Sequence, residues 1–178
     1  NFHKIIQKFR KIKWGFETRL DLLNINILDK LYSVGLRAIK VGVENASMRR
    51  LIEHGRVPPD LKHAFDIISH CNKIGIRSNA CYIIGFPDET KKDIKETIKL
   101  AKKINTTFAN FFILTPLPGT NFGDNENIIT DRLWEHRDNF HLVFEHKNFK
   151  SNQIRKLQRK ALCSYYFRPK FLLNYFRS

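Results

Sequence analysis

Cysteine is scarce in this chain. Cys71, Cys81 and Cys163 are the only three among 178 residues, which excludes a disulfide scaffold. They form no CxxC pair and no four-ligand zinc pattern. No apolar run approaches the roughly 20 residues of a membrane helix. GxGxxG, the P-loop, the nucleophile elbow and HExxH are all missing, so the sequence gives no support to dinucleotide, nucleotide-phosphate, serine-hydrolase or zinc-protease chemistry. Asn1 to Lys13 is basic but has no apolar signal-peptide core. Together with unpaired cysteines, this gives the reducing cytoplasm as the expected compartment.

Charge is abundant but unevenly placed. The net charge is +15. Residues 1–16 hold five basic residues and no acid, and residues 146–178 hold nine and no acid. The stretch between them is nearly balanced. The charge therefore belongs to the ends, and a nucleic-acid groove running through the whole domain is not expected. Basic ends interleaved with Tyr165, Tyr166, Phe167, Phe171, Tyr175 and Phe176 leave open a binding module for RNA or an anionic membrane surface. The favoured reading of that C-terminal tail is a helix covering one end of the fold.

The middle alternates strand and helix patterns. Strands are expected at Lys13 to Leu20, Ala38 to Val43, Ile76 to Ile84 and Phe108 to Leu114. Helices are expected near Asn26 to Val34, with an Asn26/Asp29 capping box, and near Asp60 to Lys73, with Leu61, Ala64, Phe65, Ile68 and Cys71 on one stripe. A third runs from the Thr90–Asp93 capping box to about Lys103. Near-continuous apolar strands predict a parallel sheet covered on both faces. Residues 121–150 show no strong period, and Asn152 to Phe167 reads as a basic helix. The pattern suits part of a (β/α) barrel or an open α/β sheet alike, and the expected division is this α/β core over 1–120, an irregular connection over 121–150 and a basic aromatic extension over 151–178.

In parallel α/β sheets, ligands bind beyond the carboxyl ends of the strands. The second strand ends in Gly42-Val43-Glu44-Asn45, the third in Gly85-Phe86-Pro87-Asp88-Glu89-Thr90, and the fourth in Thr115-Pro116-Leu117-Pro118-Gly119-Thr120. Glu44 is either a ligand-facing carboxylate or a helix-start residue. Gly85 reads as a turn residue, and Glu89 as a charge favouring its helix N-terminus. Cys71 and Cys81 read as core residues. His63 and His70 read as solvent-facing residues on one helix face.

From Phe16 to Thr120 the chain resembles the second half of a radical S-adenosylmethionine (SAM) enzyme core. VGVEN, IIGFPDET and TPLPGT carry the resemblance by occurring in order at these intervals. The ending RKLQRKALCSYYFRPKFLL is similar to the C-terminal helix of the cobalamin-binding branch, which includes anaerobic cyclases and radical methyltransferases. The resemblance implies an α/β partial (β/α) barrel, incomplete with about four parallel strands, plus a C-terminal helical extension. It implies SAM, a [4Fe–4S] cluster and, for that branch, cobalamin as cofactors, with SAM cleaved reductively to a 5′-deoxyadenosyl radical. It places Glu44 on the SAM ribose or amino-acid moiety and Arg56 on the methionyl carboxylate. It places Ile83, Ile84, Gly85, Leu114 and Thr115 beside adenine. The CxxxCxxC loop that would bind the cluster is absent, so no metal ligand and no catalytic side chain is assigned to this chain, which reads as inactive alone. The implied partners are a missing N-terminal half, a reductant such as flavodoxin or ferredoxin, and a small-molecule or RNA substrate. Contact of the C-terminal tail with a membrane is the less favoured partner reading.

Overall fold

Four short runs rich in β-branched and aromatic residues pair side by side in the order in which they occur. The computed structural model describes residues 12–117, 119, 120, 122, 123, 134–169, 171 and 172. Within them β1 (Trp14–Arg19), β2 (Leu36–Glu44), β3 (Arg77–Ile84) and β4 (Phe108–Ile113) form one sheet of order β1-β2-β3-β4. Every pairing is parallel, so the connections must cross over, and helices make the crossings. They are α1 (Ile25–Ser33) between β1 and β2, α2 (Met48–Glu53) and α3 (Leu61–Ile74) between β2 and β3, and α4 (Lys91–Ile104) between β3 and β4. A last helix, α5 (Ser151–Tyr166), follows β4 after a long connection.

Local chemistry sets most of these bounds. Asp60 caps α3 through Lys62 N–H and His63 N–H, and Gly75 ends it in the left-handed region. Thr90 and Asp93 form the expected capping box of α4. The cap of α1 differs from the sequence expectation. Asn24, not Asn26, is the capping residue, and its side chain accepts from Ile27 N–H at 2.9 Å because the chain is still extended at position 24. The helix that the alternative reading of Glu44 starts from Ser47 onward is present as α2, a single short helix capped by Ser47.

The strands are buried on one face only, contrary to the expected double covering. Burial alternates residue by residue in β2, β3 and β4. Val41, Val43, Ala80, Tyr82, Ile84, Ala109, Phe111 and Ile113 point under the helices and are almost wholly buried. Each fully buried aliphatic side chain there contributes about 1.5–3 kcal/mol. The opposite face carries Lys40, Gly42, Asn79, Cys81, Ile83, Asn110 and Phe112, all half-buried. Cys81 thus leaves the core to which the sequence assigned it, whereas Cys71 on α3 is buried as expected.

The connection before α5 is more than a spacer. Leu142, Phe144 and Phe149 join the same buried cluster as the strands. The helix expected in the basic tail is α5. It lies along β4 beside α4. Tyr165 Oη donates to Thr106 O at 2.5 Å, and Tyr166 Oη donates to Ala109 O at 2.9 Å, fixing its C-terminal end near the start of β4. The short aromatic segment read at 170–176 lies mostly outside the described residues. No helix among the described residues is long and apolar enough to cross a membrane.

His63 and His70 are not free surface groups. His63 Nε2 lies 3.1 and 2.9 Å from Leu20 O and Leu23 O, and His70 Nε2 is 2.7 Å from Asp29 Oδ1. Both side chains tie α3 to the segment that precedes β2.

Candidate functional site

The carboxyl ends of β1, β2 and β3 enclose a cleft of about 590 Å³. Glu17, Arg19, Gly42, Glu44, Arg56 and Cys81 are among its lining residues. The parallel register explains the grouping, since Arg19 pairs with Gly42 and Gly42 with Cys81. Side chains on the uncovered face of three strands therefore meet at one level.

Glu44 is positioned by an irregularity. The β2–β3 register shifts between Gly42 and Glu44, and Glu44 adopts φ +71°, a left-handed conformation that costs a non-glycine residue on the order of 1 kcal/mol or more. This turn folds its carboxylate back over Gly42, where a Cβ would collide with Glu44 Oε1. Gly42 is thus the space that the carboxylate occupies. Arg56 reaches the same place from the turn after α2, with Nη1 3.5 Å from Glu44 Oε1. The Glu44 side chain is 19% exposed and that of Arg56 48%. Burial raises the Glu44 carboxyl above the ordinary carboxylate range, opposed by Arg56 and reinforced by Glu17. Lower in the cleft Lys40 Nζ lies 3.1 Å from Glu17 Oε2. Burial also raises the Cys81 thiol, opposed by Lys40.

The tips of β3 and β4 form a second, closed rim. Leu114 N–H donates to Ile84 O at 2.9 Å, so the residues expected beside adenine do lie together. They are absent from the cleft lining. Ile84 is fully buried under the helices, and only Ile83 is turned to the uncovered face. Leu114 is 8% exposed, and Thr115 Oγ1 donates to Ile113 O at 3.2 Å. Gly85 has φ +83°, which a turn requires, but the room left by its missing side chain is filled by Ile154 of α5 at 3.3 Å. Its close approach is to a helix of its own chain.

Glu89 organises that rim, a role beyond the helix-start charge expected of it. It is completely buried. Its carboxylate accepts from Gly85 N–H, from Phe86 N–H at 3.3 Å and from Asn45 Nδ2 at 2.8 Å. Asn45 Nδ2 also donates to Ile83 O at 2.9 Å, so the tips of β2 and β3 are stapled through one amide. Burial raises the Glu89 carboxyl to about 7, and the donors around it oppose the rise. Outside this knot, buried Arg50 holds Asp88 and Asp93, each at 2.9 Å. Hydrogen bonds from Arg50, together with those from Arg49, bring the Asp88 carboxyl down to about 2.

Of the sequence-assigned positions, Glu44 and Arg56 meet in the cleft, whereas Ile83, Ile84, Gly85, Leu114 and Thr115 sit on the neighbouring rim. The sequence reading missed Gly42, Glu17 and Arg19 as lining residues. The period-2 alternation through β2 and β3 carried that signal, since it puts Gly42 and Glu44 on one face of β2.

A charged cleft at the carboxyl ends of parallel strands is the ligand-site geometry of an open α/β barrel. Comparison with known proteins narrows the class. Coproporphyrinogen III oxidase from Escherichia coli, a radical SAM enzyme, superposes on 93% of this chain and 36% of its own with a TM-score of 0.66 at 16% identity. A radical SAM methyltransferase from Kitasatospora setae, solved with cobalamin and a [4Fe–4S] cluster bound, matches 69% of this chain and 26% of its own with a TM-score of 0.61 at 18% identity. In sequence the chain is 34% identical over 176 residues to an uncharacterized methyltransferase of Pyrococcus horikoshii, covering 96% of this chain and 38% of that protein. It is 27% identical over 173 residues to bacteriochlorophyllide d C-8(2)-methyltransferase of Chlorobaculum tepidum, covering 85% and 38%. No protein-family model matches the chain. The fold is that of the matching part of these radical SAM enzymes. The chain spans less than two fifths of the length of these relatives.

For the zwitterionic end of an amino-acid-like ligand the cleft offers one carboxylate and one guanidinium 3.5 Å apart, the first mostly buried and the second half exposed. A [4Fe–4S] cluster does not fit the described residues. Cys71, Cys81 and Cys163 lie on α3, β3 and α5, and no group of three metal-ligating side chains gathers among the described residues.

Proposed function

We propose that this chain is the SAM-binding C-terminal part of a radical SAM enzyme with a methylation-type reaction. The observation that carries the reading is the Glu44–Arg56 pair, held over Gly42 in the cleft of a radical SAM fold. SAM, when bound, supplies the transferable methyl or 5′-deoxyadenosyl group. Arg56 takes the methionyl carboxylate bidentately, and Glu44 accepts from the ammonium or the ribose hydroxyls. A ligand with both charges inserts between the two side chains and replaces a loose ion pair with two shorter contacts. Ile83 supplies the apolar surface for adenine. The backbone groups of that rim are largely engaged already, Gly85 N–H by Glu89, Ile84 O by Leu114 and Ile83 O by Asn45.

The cluster belongs to a separate, CxxxCxxC-bearing half, and this chain alone is inactive. That half, a reductant of the flavodoxin or ferredoxin kind and a substrate are the partners of this reading; cobalamin, if used, sits outside this chain. Methyltransferase relatives favour methylation over cyclisation. Joined to such a half and reconstituted with iron and sulfide, the protein is expected to be brown and oxygen-sensitive and to release 5′-deoxyadenosine under reduction. Arg56→Ala is expected to abolish most of that release while leaving the brown colour. A reconstituted protein that never cleaves SAM contradicts the proposal.

A further inference from the structure

Composition assigned the excess charge to the two ends of the chain, but the fold redistributes it. α4 carries six lysines, and its acids are Asp93 and Glu96. Asp93 is turned to Arg50, and Glu96 is bound by Lys99. α5 carries Arg155, Lys156, Arg159 and Lys160 and no acid.

The two helices lie side by side and run in the same direction. The N-terminal end of α5 is at the strand tips, where Ile154 packs on Gly85. Its C-terminal end is beside the end of α4, where Arg168 donates to Asn105 Oδ1 at 3.2 Å and to Thr106 O at 3.4 Å. The buried stripes of both helices face the sheet, so the lysines and arginines between and beyond those stripes form one outward surface. A helix of the length of α4 gives this surface a reach of roughly 20 Å.

What the surface lacks identifies its partner. Within α4 and α5 no large apolar side chain is exposed; the exposed Phe167 caps the C-terminal end of α5, beyond Arg155, Lys156, Arg159 and Lys160. A membrane-inserting helix needs an apolar face, and a protein interface needs an apolar or aromatic centre. A phosphate backbone needs neither, since cations alone position it and release its counterions. We infer that the α4–α5 face binds the phosphate backbone of a nucleic acid, without reading its sequence. The inference does not rest on the cleft, which lies at the strand tips.

The test is fluorescence anisotropy of a labelled 20-base-pair RNA duplex against the full chain at several salt concentrations. A tight, sequence-indifferent complex at 50 mM salt should weaken on the order of a hundredfold or more by 200 mM. Replacing Lys92, Lys95, Arg159 and Lys160 with Ala retains helix propensity. It should weaken binding at 50 mM at least about tenfold and flatten the salt slope by about 2 or more. Replacing Lys4, Lys8, Arg10 and Lys11 with Ala removes the same charge and should change binding less than about threefold. The inference is overturned if the second variant loses as much as the first, if the first is unchanged, if the chain does not bind the duplex at 50 mM salt, or if phosphatidylserine vesicles compete as well as unlabelled duplex.

Discussion

Two glutamates stand near the tips of neighbouring strands, and their surroundings could hardly differ more. Glu44 and Glu89 are both desolvated, and burial raises the pKa of each. Glu89 has three N–H donors, a roof of its own chain and no solvent exposure. Glu44 has a left-handed backbone, a glycine that makes room for it and one cation 3.5 Å away across an open cleft. The closed tip spends its polar groups on holding loops together. The open tip leaves polar capacity unspent, and on the proposed function a ligand takes it up. The contrast distinguishes a structural carboxylate from a binding one more clearly than burial or a shifted pKa does, since both have those.

The comparison can be broken from either side. The largest effect is expected at the closed tip. Glu89→Ala leaves Gly85 N–H, Phe86 N–H and Asn45 Nδ2 without their acceptor, at about 1–3 kcal/mol for each group that stays dry. Denaturant unfolding should show a loss of about 3 kcal/mol or more, and a loss under about 1 kcal/mol would remove Glu89 from its organising role. At the open tip, Gly42→Ala should move the Glu44 carboxylate aside. SAM affinity should fall about tenfold or more, with a stability change near 1 kcal/mol. Unchanged affinity would mean that the folded-back position of Glu44 is irrelevant to binding.

Smaller effects sharpen the same contrast. Asp88 guards the outside of the closed tip, and its carboxyl is lowered to about 2 by its arginine partners. A lowered carboxylate stabilises the fold above its unfolded value near 3.8 and loses that contribution as pH falls through about 2. Asp88 is nearly half exposed, so solvent screening keeps the effect below about 1 kcal/mol. The decline in thermal midpoint between pH 5 and pH 2 should therefore be shallower in Asp88→Asn than in the parent. Behind both tips, Tyr82 is wholly buried, and its hydroxyl has no hydrogen-bond partner among the described residues. Tyr82→Phe should be neutral or stabilising by up to about 1 kcal/mol in denaturant unfolding, and a clear loss would reveal an unseen partner for the hydroxyl.

Much of the fold was legible because its punctuation is local. Gly75 and the Thr90–Asp93 box act within one helical turn, and the β/α alternation around them follows from spacing alone. Glu44 and Arg56 were legible through motif order, since each stands in a strand-end loop. The remainder depended on contacts distant in sequence. Cys81 belongs to an apolar run, and only the pairing of β3 with β2 shows that it faces the cleft. Glu89 looked like a helix-start charge because its partners Asn45 and Gly85 come from two different strand tips. Gly85 was read for a ligand, yet Ile154, sixty-nine positions later, occupies its space. The basic face was hidden because counting along the chain sets Lys91, Lys92 and Lys95 against acids elsewhere without asking which residues share a surface.

On the proposed function the open tip receives the zwitterionic end of SAM, and the closed tip contributes only the Ile83 side chain. This claim is tested most directly by isothermal titration of SAM into this chain, its Arg56→Ala and Glu44→Gln variants, and Tyr82→Phe as a core control. The account predicts binding by the parent and the control, and a loss of about tenfold or more in each cleft variant with thermal midpoints within a few degrees of the parent. Equal affinity in all four proteins, or no binding by the parent, would contradict it.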